Sequence, residues 1–267
     1  MPNSFTNRII RSTLLACCLA VTATAQAGKV PDLNGIWVIA DSFMDRQDGV
    51  FLAAPGRAEA SERENRLFSM GSPKFKGEYA RRSAELQAAE KAAEANGKTL
   101  GEPEGDCIPP GMPRFWMGPY AFEILQNAKQ INFFQESWDQ TRRIYLDGRK
   151  HPSPDDVDPL YQGHSVGHWE GDTLVVDTVN ISTATTLLGG VPHSDKLSVS
   201  ERFHLVEPDI LDIRVTIVDP DALAEPWIII RKLRRKPGME IHDYVCAENN
   251  RNHSDENGAT QTILKSK

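Results

Sequence analysis

The sequence lacks the short motifs that carry several common enzyme chemistries. It contains no GxSxG nucleophile elbow, no glycine-rich phosphate loop and no dinucleotide-binding fingerprint. Ser194 follows His193 directly, and adjacent residues of an extended chain point to opposite faces, so the two do not form the core of a catalytic triad. These absences argue against serine hydrolases and nucleotide-dependent enzymes, and the sequence predicts no bound cofactor.

Basic residues are too few for a nucleic-acid partner. The chain has 30 lysines and arginines against 37 aspartates and glutamates, a net charge of −7. Phosphate binding requires a basic surface. The one basic cluster, at residues 231–236, ends at Pro237 and Gly238 and is typical of a solvated turn. We therefore expect no nucleic-acid partner.

Long apolar runs are also absent, even at the N-terminus. Arg8 and Arg11 precede the apolar stretch 14–21, and Ala25-Gln26-Ala27 has the small-x-small pattern of a secretory cleavage site. The run is shorter than the ~20 residues that span a bilayer. This layout predicts a signal peptide over residues 1–27, export to the periplasm or medium, and no membrane span. Cleavage at Cys17, as in lipoproteins, is the less favoured alternative because apolar residues continue beyond it.

Cysteine is scarce, with four residues in the whole chain. Cys17 and Cys18 belong to the predicted signal peptide, which leaves Cys107 and Cys246. Neither lies in a CxxC pair, and two cysteines in an oxidising compartment typically form a disulfide. Closing a loop of about 140 residues would stabilise the fold by roughly 4–5 kcal/mol in the chain-entropy model.

The pattern of apolar residues is typical of a mainly β protein. Residues 28–267 are predicted to form one domain, a single antiparallel β-barrel of about nine or ten strands, because no βαβ alternation is present. An Ala- and Glu-rich insert at about 57–97 is predicted to be helical. A two-sheet β-sandwich is the alternative. Strands are predicted at 31–40, 119–126, 129–137, 140–147, 164–170, 172–179, 196–206, 209–218, 226–234 and 239–246.

Several charged residues lie on strands that a plain barrel would fill with Val and Leu. Because side chains alternate between faces along a strand, Arg143, Tyr145 and Asp147 share one face of the 140–147 strand. Glu201 shares a face with apolar neighbours, and so does Asp177. A carboxylate in such a setting is either paired with a cation such as Arg143 or suited to proton transfer.

Histidines provide further candidates. His164 and His168 are four residues apart, which on a strand separates them by roughly 13 Å, at ~3.3 Å per residue. They are therefore not expected to share a metal ion, and no metal site is predicted. His193 follows a flexible Gly189-Gly190 loop, which could place it at a cavity mouth as a general base.

A structural role is the simpler interpretation of each of these residues alone. Arg–Glu pairs commonly stabilise barrels, and a tyrosine on a sheet is usually part of the core. Convergence of several polar residues in one apolar barrel instead favours a ligand cavity. We expect Arg143 to hold a carboxylate or phenolate, and Tyr145, Asp177, His193 and Glu201 to supply acid–base groups.

Two resemblances extend this interpretation. Gly35-Ile36-Trp37 resembles the G-x-W of lipocalin-type barrels, in which the tryptophan packs across the closed end. Four longer motifs resemble those of a large family of secreted bacterial proteins: CIPPGMP at 107–113, RIYLDGR at 143–149, WEGDTLVVDT at 169–178 and VCAENN at 245–250. Similar barrel proteins of lignin-degrading bacteria include cofactor-independent lyases and decarboxylases that act on phenylcoumaran-type aromatics.

The sequence and the resemblance together predict a secreted, cofactor-independent lyase. Its reaction would be a decarboxylation or an elimination on a small aromatic compound, such as one derived from lignin. The alternative is a lipocalin-like protein that binds a small apolar ligand without reacting with it.

Overall fold

The computed structural model describes residues 30–40, 71–96 and 107–246, together with the backbone of four short strands outside these ranges. The predicted signal peptide and much of the predicted insert lie outside the described residues. Within the described part, no helix combines the length and apolar character needed to cross a membrane.

The described chain contains thirteen strands and one α-helix. In chain order they are β1 (Gly35–Ile39), β2 (Phe68–Ser69), α1 (Gly77–Glu94), β3 (Thr99–Leu100), β4 (Phe122–Gln126), β5 (Gln130–Gln135), β6 (Gln140–Tyr145), β7 (His164–Glu170), β8 (Thr173–Val179), β9 (Ser198–Glu207), β10 (Ile210–Val218), β11 (Trp227–Arg235), β12 (His253–Ser254) and β13 (Ala259–Gln261). The short strands β3, β12 and β13 form a separate sheet.

Nine strands close into one barrel. Their order is β1, then β4 to β11 in sequence, and β11 pairs back to β1. Strand directions alternate in an antiparallel barrel, so a closed ring of nine requires one parallel pair. That pair is β6–β7, through Ile144 with Ser165 and Tyr145 with Val166. Parallel neighbours need a long crossover, which explains the long connection 146–163. The barrel prediction is confirmed, and the β-sandwich alternative is wrong.

One predicted strand is absent. Residues 239–246 form no strand, although their composition suggested one. Both edges of β11 are already occupied, by β10 on one side and by β1 and β2 on the other. The neighbouring strand β11 therefore offers this segment no free edge with which to pair.

Packed side chains fill the barrel interior. Trp37 of the GxW motif is fully buried, and its Nε1 donates to the Leu33 carbonyl at 2.9 Å. Further along the barrel, the rings of Trp116, Phe133 and Phe203 lie 5.6–5.8 Å apart. Aromatic rings at these distances are in contact. The space predicted for a ligand is therefore occupied by core residues, and the interior cavity is a wrong prediction.

The helix α1 lies on the outside of the barrel. Of its 18 residues, only Ser83 and Ala93 are buried. Its apolar residues do not form a continuous stripe, so it has little surface to bury in a core. It contacts the turn at Leu188–Gly190. The predicted helical insert is confirmed.

A plug segment, residues 107–121, crosses one end of the barrel. It starts at the predicted disulfide, which is confirmed: the Cα atoms of Cys107 and Cys246 are 5.7 Å apart. Gly111 has φ +60°, and a Cβ there would lie 2.5 Å from the Tyr161 carbonyl oxygen. Only glycine allows this close approach. The turn Arg114–Trp116 then directs Trp116 into the core.

Candidate functional site

The centre of the barrel contains a buried ion pair. Arg142 on β6 donates to Glu201 on β9 from both terminal nitrogens, at 2.7 Å for Nη1 to Oε1. Both side chains are 0% exposed. Trp116 Nε1 donates to the same carboxylate at 2.6 Å. Glu201 therefore joins the plug segment to the barrel wall.

Further hydrogen bonds satisfy this buried pair. Arg142 Nη2 donates to Thr178 Oγ1 at 2.9 Å, and its Nε donates to Ser165 Oγ at 3.3 Å. Arg231 on β11 donates from Nε to the Trp116 carbonyl. Burial lowers the pKa of Arg231 to about 9, which leaves it protonated at neutral pH. The hydrogen bonds of Arg142 and Glu201 are typical of a structural role, and the full burial of the pair gives a ligand no access to it.

The predicted pairing of Glu201 with Arg143 is wrong. Glu201 is buried among apolar neighbours, as its pattern predicted, but its partner is Arg142. Arg143 is exposed on the outer wall of β6. Alternation correctly predicted which residues of β6 share a face. It did not show which of the two faces lies inside the barrel. Ile144 and Leu146, which share the face of Arg142, were the signal for the inner face.

Tyr145 and Asp177 also lie on the outer wall rather than in the barrel. Asp177 is exposed, and Tyr145 is half-buried. Two histidines that the sequence did not connect lie beside them. His151 Nε2 is 3.1 Å from Asp177 Oδ2, and the Tyr145 ring stacks on His164 at 5.4 Å. The predicted convergence of Arg143, Tyr145 and Glu201 therefore does not occur.

His193 is buried, not placed at a cavity mouth as predicted. Its Nδ1 lies 2.7 Å from the Ser194 carbonyl oxygen, which can only accept, so Nδ1 carries the proton. Its Nε2 lies 2.9 Å from Thr185 Oγ1. Ser194 in turn donates to Asp219 from its N and its Oγ, at 2.7 Å each. These contacts tie together the loops at the end of the barrel.

The buried His193 should make stability depend on pH. Burial lowers its pKa below the ordinary value, an effect that outweighs the opposing hydrogen bond to Ser194. The unfolded chain then binds more protons below about pH 6.5, so stability is complete above that pH and falls as pH decreases toward the folded pKa. We expect His193→Gln to flatten the dependence of unfolding free energy on pH between about 7.5 and 5.

Urea unfolding at closely spaced pH values measures this slope. The matched control is His242→Gln, because His242 is exposed and should leave the slope unchanged. An identical slope in His193→Gln and the parent would contradict the assignment.

The other histidines of the outer wall do not form a metal cluster. His168 Nε2 is 3.3 Å from Glu170 Oε1, and Glu170 also accepts from Arg202 at 2.9 Å. Across the described ranges, no group of three or more His, Cys, Asp or Glu residues is arranged to hold a metal ion.

A cleft of about 280 Å³ opens beside the plug segment. We call it the end cleft. Its walls come from the plug segment and from the end of the β5–β6 hairpin. The lining residues are Pro110, Arg114, Met117, Gly118, Tyr120, Gln135, Ser137 and Trp138. Apolar and aromatic surface with a few polar groups is the usual composition of a small-molecule site.

The hairpin that carries Trp138 has an unusual backbone. Trp138 and Asp139 have φ values of 56° and 46°, in the left-handed region. For a bulky residue this conformation costs on the order of 1–3 kcal/mol and persists only when its surroundings impose it. Buried Gln140 supplies that constraint, because its Nε2 donates to Gln135 Oε1 at 2.7 Å and to the Ser137 carbonyl at 3.1 Å.

The strained turn presents Trp138 to two tyrosines. Its ring lies 6.5 Å from that of Tyr120 and 4.9 Å from that of Tyr244. Trp138 Nε1 is buried and has no hydrogen-bond partner in the described part of the chain. A buried N–H without a partner costs about 1–3 kcal/mol. Backbone strain and an unpaired donor therefore occur on the same side chain.

None of the five residues predicted to be catalytic lines the end cleft. The sequence did offer a signal for Trp138, since turns between strands normally consist of polar residues and glycine. A tryptophan in the turn Glu136-Ser137-Trp138-Asp139 is an exception that points to a surface role. No protein-family profile and no curated protein matches this chain.

Proposed function

We propose that the protein binds a small aromatic molecule in the end cleft. The observation that carries this proposal is the wall formed by Tyr120 and Trp138, on a backbone strained at Trp138. Strain of this kind is concentrated at ligand sites, where the surrounding structure holds a side chain in one position. The lyase predicted from the sequence needed a cavity inside the barrel, and core residues fill that space. We therefore place ligand binding without reaction, the alternative from the sequence, ahead of the lyase.

The size and chemistry of the end cleft support a ligand with one aromatic ring. A cavity of roughly 150 Å³ holds benzene, so about 280 Å³ accommodates one substituted ring. Tyr120 and Trp138 offer two faces for stacking. Arg114, whose Nη1 donates to Thr186 at 3.0 Å, brings positive charge to the wall and favours an anionic substituent.

A lyase step in the same cleft is the second candidate. Decarboxylation or elimination requires a proton donor and a group that holds the anion. The Tyr120 phenol and the Arg114 guanidinium are the groups of these two types that line the end cleft. On this proposal, the catalytic roles expected for Arg143, Tyr145, Asp177, His193 and Glu201 move to Tyr120 and Arg114.

We also propose that the protein works in the periplasm or medium. The disulfide between Cys107 and Cys246 supports this location, because disulfides persist in oxidising compartments. A ligand there would be a compound present outside the cytoplasm.

Binding can be tested with a panel of benzoates, hydroxybenzoates and lignin-type dimers, without added cofactor. We expect at least one compound to raise the melting temperature of the parent. Tyr120→Leu should weaken its affinity by about 2–12-fold, since an aromatic contact contributes roughly 0.5–1.5 kcal/mol. Trp138→Leu should weaken it by a similar factor, because it removes the second aromatic face of the cleft.

The matched control is Trp169→Phe, because Trp169 lies on β7 and does not line the end cleft. It should leave the affinity unchanged. Chromatography of each incubated compound tests the lyase candidate: consumption by the parent but not by Tyr120→Phe supports it. A panel that produces no thermal shift, or a ligand held equally well by Tyr120→Leu, would contradict the proposed site.

A further inference from the structure

A second group of polar side chains lies on the outer wall of the barrel, and none of them lines the end cleft. Asp177 on β8, His151 in the β6–β7 connection and His164 at the start of β7 form a chain. His151 Nε2 lies 3.1 Å from Asp177 Oδ2, and His151 Nδ1 lies 2.9 Å from His164 Nδ1. We call these residues the Asp177–His151–His164 chain.

The position of each proton in this chain follows from the acceptors. An ionised Asp177 can only accept, so His151 Nε2 carries a proton and donates it. The Nδ1 of a neutral His151 is then a lone pair, and it accepts from His164 Nδ1. His164 Nε2 is consequently left without a proton. This arrangement gives a neutral imidazole whose free nitrogen is its basic atom.

His164 Nε2 is accessible and its ring is fixed. The hydrogen bond of His164 is made by its Nδ1, and Nε2 has no partner within the described part of the chain. Nε2 is also not one of the buried atoms without a partner, so it is open to solvent. The Tyr145 ring stacks on His164, with the planes inclined by 29°, and the Arg149 Cζ lies 3.7 Å from the centre of the Tyr145 ring. Asp147 holds Arg149 in a two-point ion pair, which lowers the pKa of Asp147 to about 2.

The surroundings keep His164 neutral near pH 7. Burial lowers the pKa of His164, and the nearby His151 and Arg149 lower it further. Asp177 is the carboxylate at the far end of the chain, and it can stabilise a proton that reaches His151. The chain thus has a base, His164, at one end and an anion, Asp177, at the other. Catalytic imidazoles are oriented by carboxylates in the same way.

We propose that His164 Nε2 is a general base that activates water for the hydrolysis of small activated esters. Water adds to the ester carbonyl carbon as its proton passes to His164 Nε2. The His164 Nδ1 proton moves to His151 Nδ1, and Asp177 stabilises the resulting imidazolium. The carbon–oxygen bond to the leaving group then breaks, and the proton returns to the leaving oxygen, which gives one acid and one alcohol. His151 and Asp177 are positioning residues.

The same strand provides a comparison for this role. His168 lies four residues from His164 and contacts a carboxylate, Glu170, directly, but among the described residues no second imidazole lies beside it. An exposed histidine–carboxylate pair alone contributes little to stability or chemistry. The distinguishing feature of His164 is therefore the second histidine, which the long β6–β7 connection brings to the barrel wall.

Hydrolysis of p-nitrophenyl acetate by the parent and by three asparagine variants tests this assignment. His164→Asn should lower the protein-dependent rate by roughly 10²-fold, the lower end of a general-base contribution. Asp177→Asn should lower the plateau rate and move the midpoint of the pH–rate profile to lower pH, because the protonated pair loses its anion. His168→Asn should leave both unchanged. Equal rates for His164→Asn and the parent, or an equal loss in His168→Asn, would overturn the proposal.

A chemical measurement on the parent protein is independent of how the variants fold. Diethyl pyrocarbonate should modify His164 Nε2, and ester hydrolysis should fall in proportion to that modification, as measured by peptide mass spectrometry. Hydroxylamine should restore the rate. Modified His164 with full activity would overturn the proposal. So would loss of the rate in EDTA, since that would indicate a metal held between the two histidines.

Discussion

Replacing Glu201 with glutamine should lower the free energy of unfolding by about 3–5 kcal/mol. The substitution keeps the shape of the side chain but leaves Arg142 as a buried charge without its counter-ion, and Arg142 is 0% exposed. Leaving a buried charge uncompensated is among the largest single-residue penalties in proteins. Urea unfolding of the parent and Glu201→Gln under identical conditions measures the difference.

Two further variants separate the charge from the packing. Glu170→Gln removes an exposed carboxylate that pairs with Arg202 and should leave stability nearly unchanged. The double variant Arg142→Met with Glu201→Leu removes both charges, and we expect it to recover most of the lost stability. A Glu201→Gln protein as stable as the parent would show that the pair does not join the plug segment to the barrel.

Removing the disulfide should have an effect of similar size. Cys107 and Cys246 are 139 residues apart, and a loop of that length predicts about 4–5 kcal/mol of stabilisation from the reduced entropy of the unfolded chain. The double variant Cys107→Ser with Cys246→Ser should lose that amount in urea unfolding. Native exported protein should contain no free thiol, and reduction should lower its melting temperature.

The double serine variant also serves as the control for the reductant. Dithiothreitol should destabilise the parent and leave the variant unaffected. Two titratable thiols in the native exported protein, or a parent whose stability does not change on reduction, would contradict the bridge.

The strands could be predicted from the sequence because their pattern is local. Alternation with period two and clear turn residues placed β4 to β11 to within a few residues. The pattern predicted a strand at 239–246 that does not form, because strand formation there depends on how the whole barrel closes. Pairing needs a free edge, and closure of β11 onto β1 removes it. No property of residues 239–246 themselves reports this.

The faces of two strands were assigned wrongly for a different reason. Alternation fixes which residues share a face, and a change of one position exchanges the inner and outer sets. Glu201 was correctly expected among apolar residues. Its predicted partner was Arg143, one position away from the observed partner Arg142, because the inner and outer faces of β6 were exchanged. On β8, valines occur on both faces, so composition gave Asp177 no clear side.

The end cleft could not have been assembled from the sequence. Its walls come from the plug segment and from the β5–β6 hairpin, which are brought together by buried Gln135 and Gln140. These glutamines bond to Phe115 and Gly111 of the plug segment, contacts between positions 20 and 29 residues apart. Alternation describes single strands and contains no information about such contacts between segments.

The location of the ligand is the most direct test of the account. Crystals of the mature protein soaked with the compound that gives the largest thermal shift should show it in the end cleft. Its ring should lie against Tyr120 and Trp138, with any anionic group toward Arg114. A ligand bound inside the barrel beside Glu201, or anywhere outside the end cleft, would contradict the account.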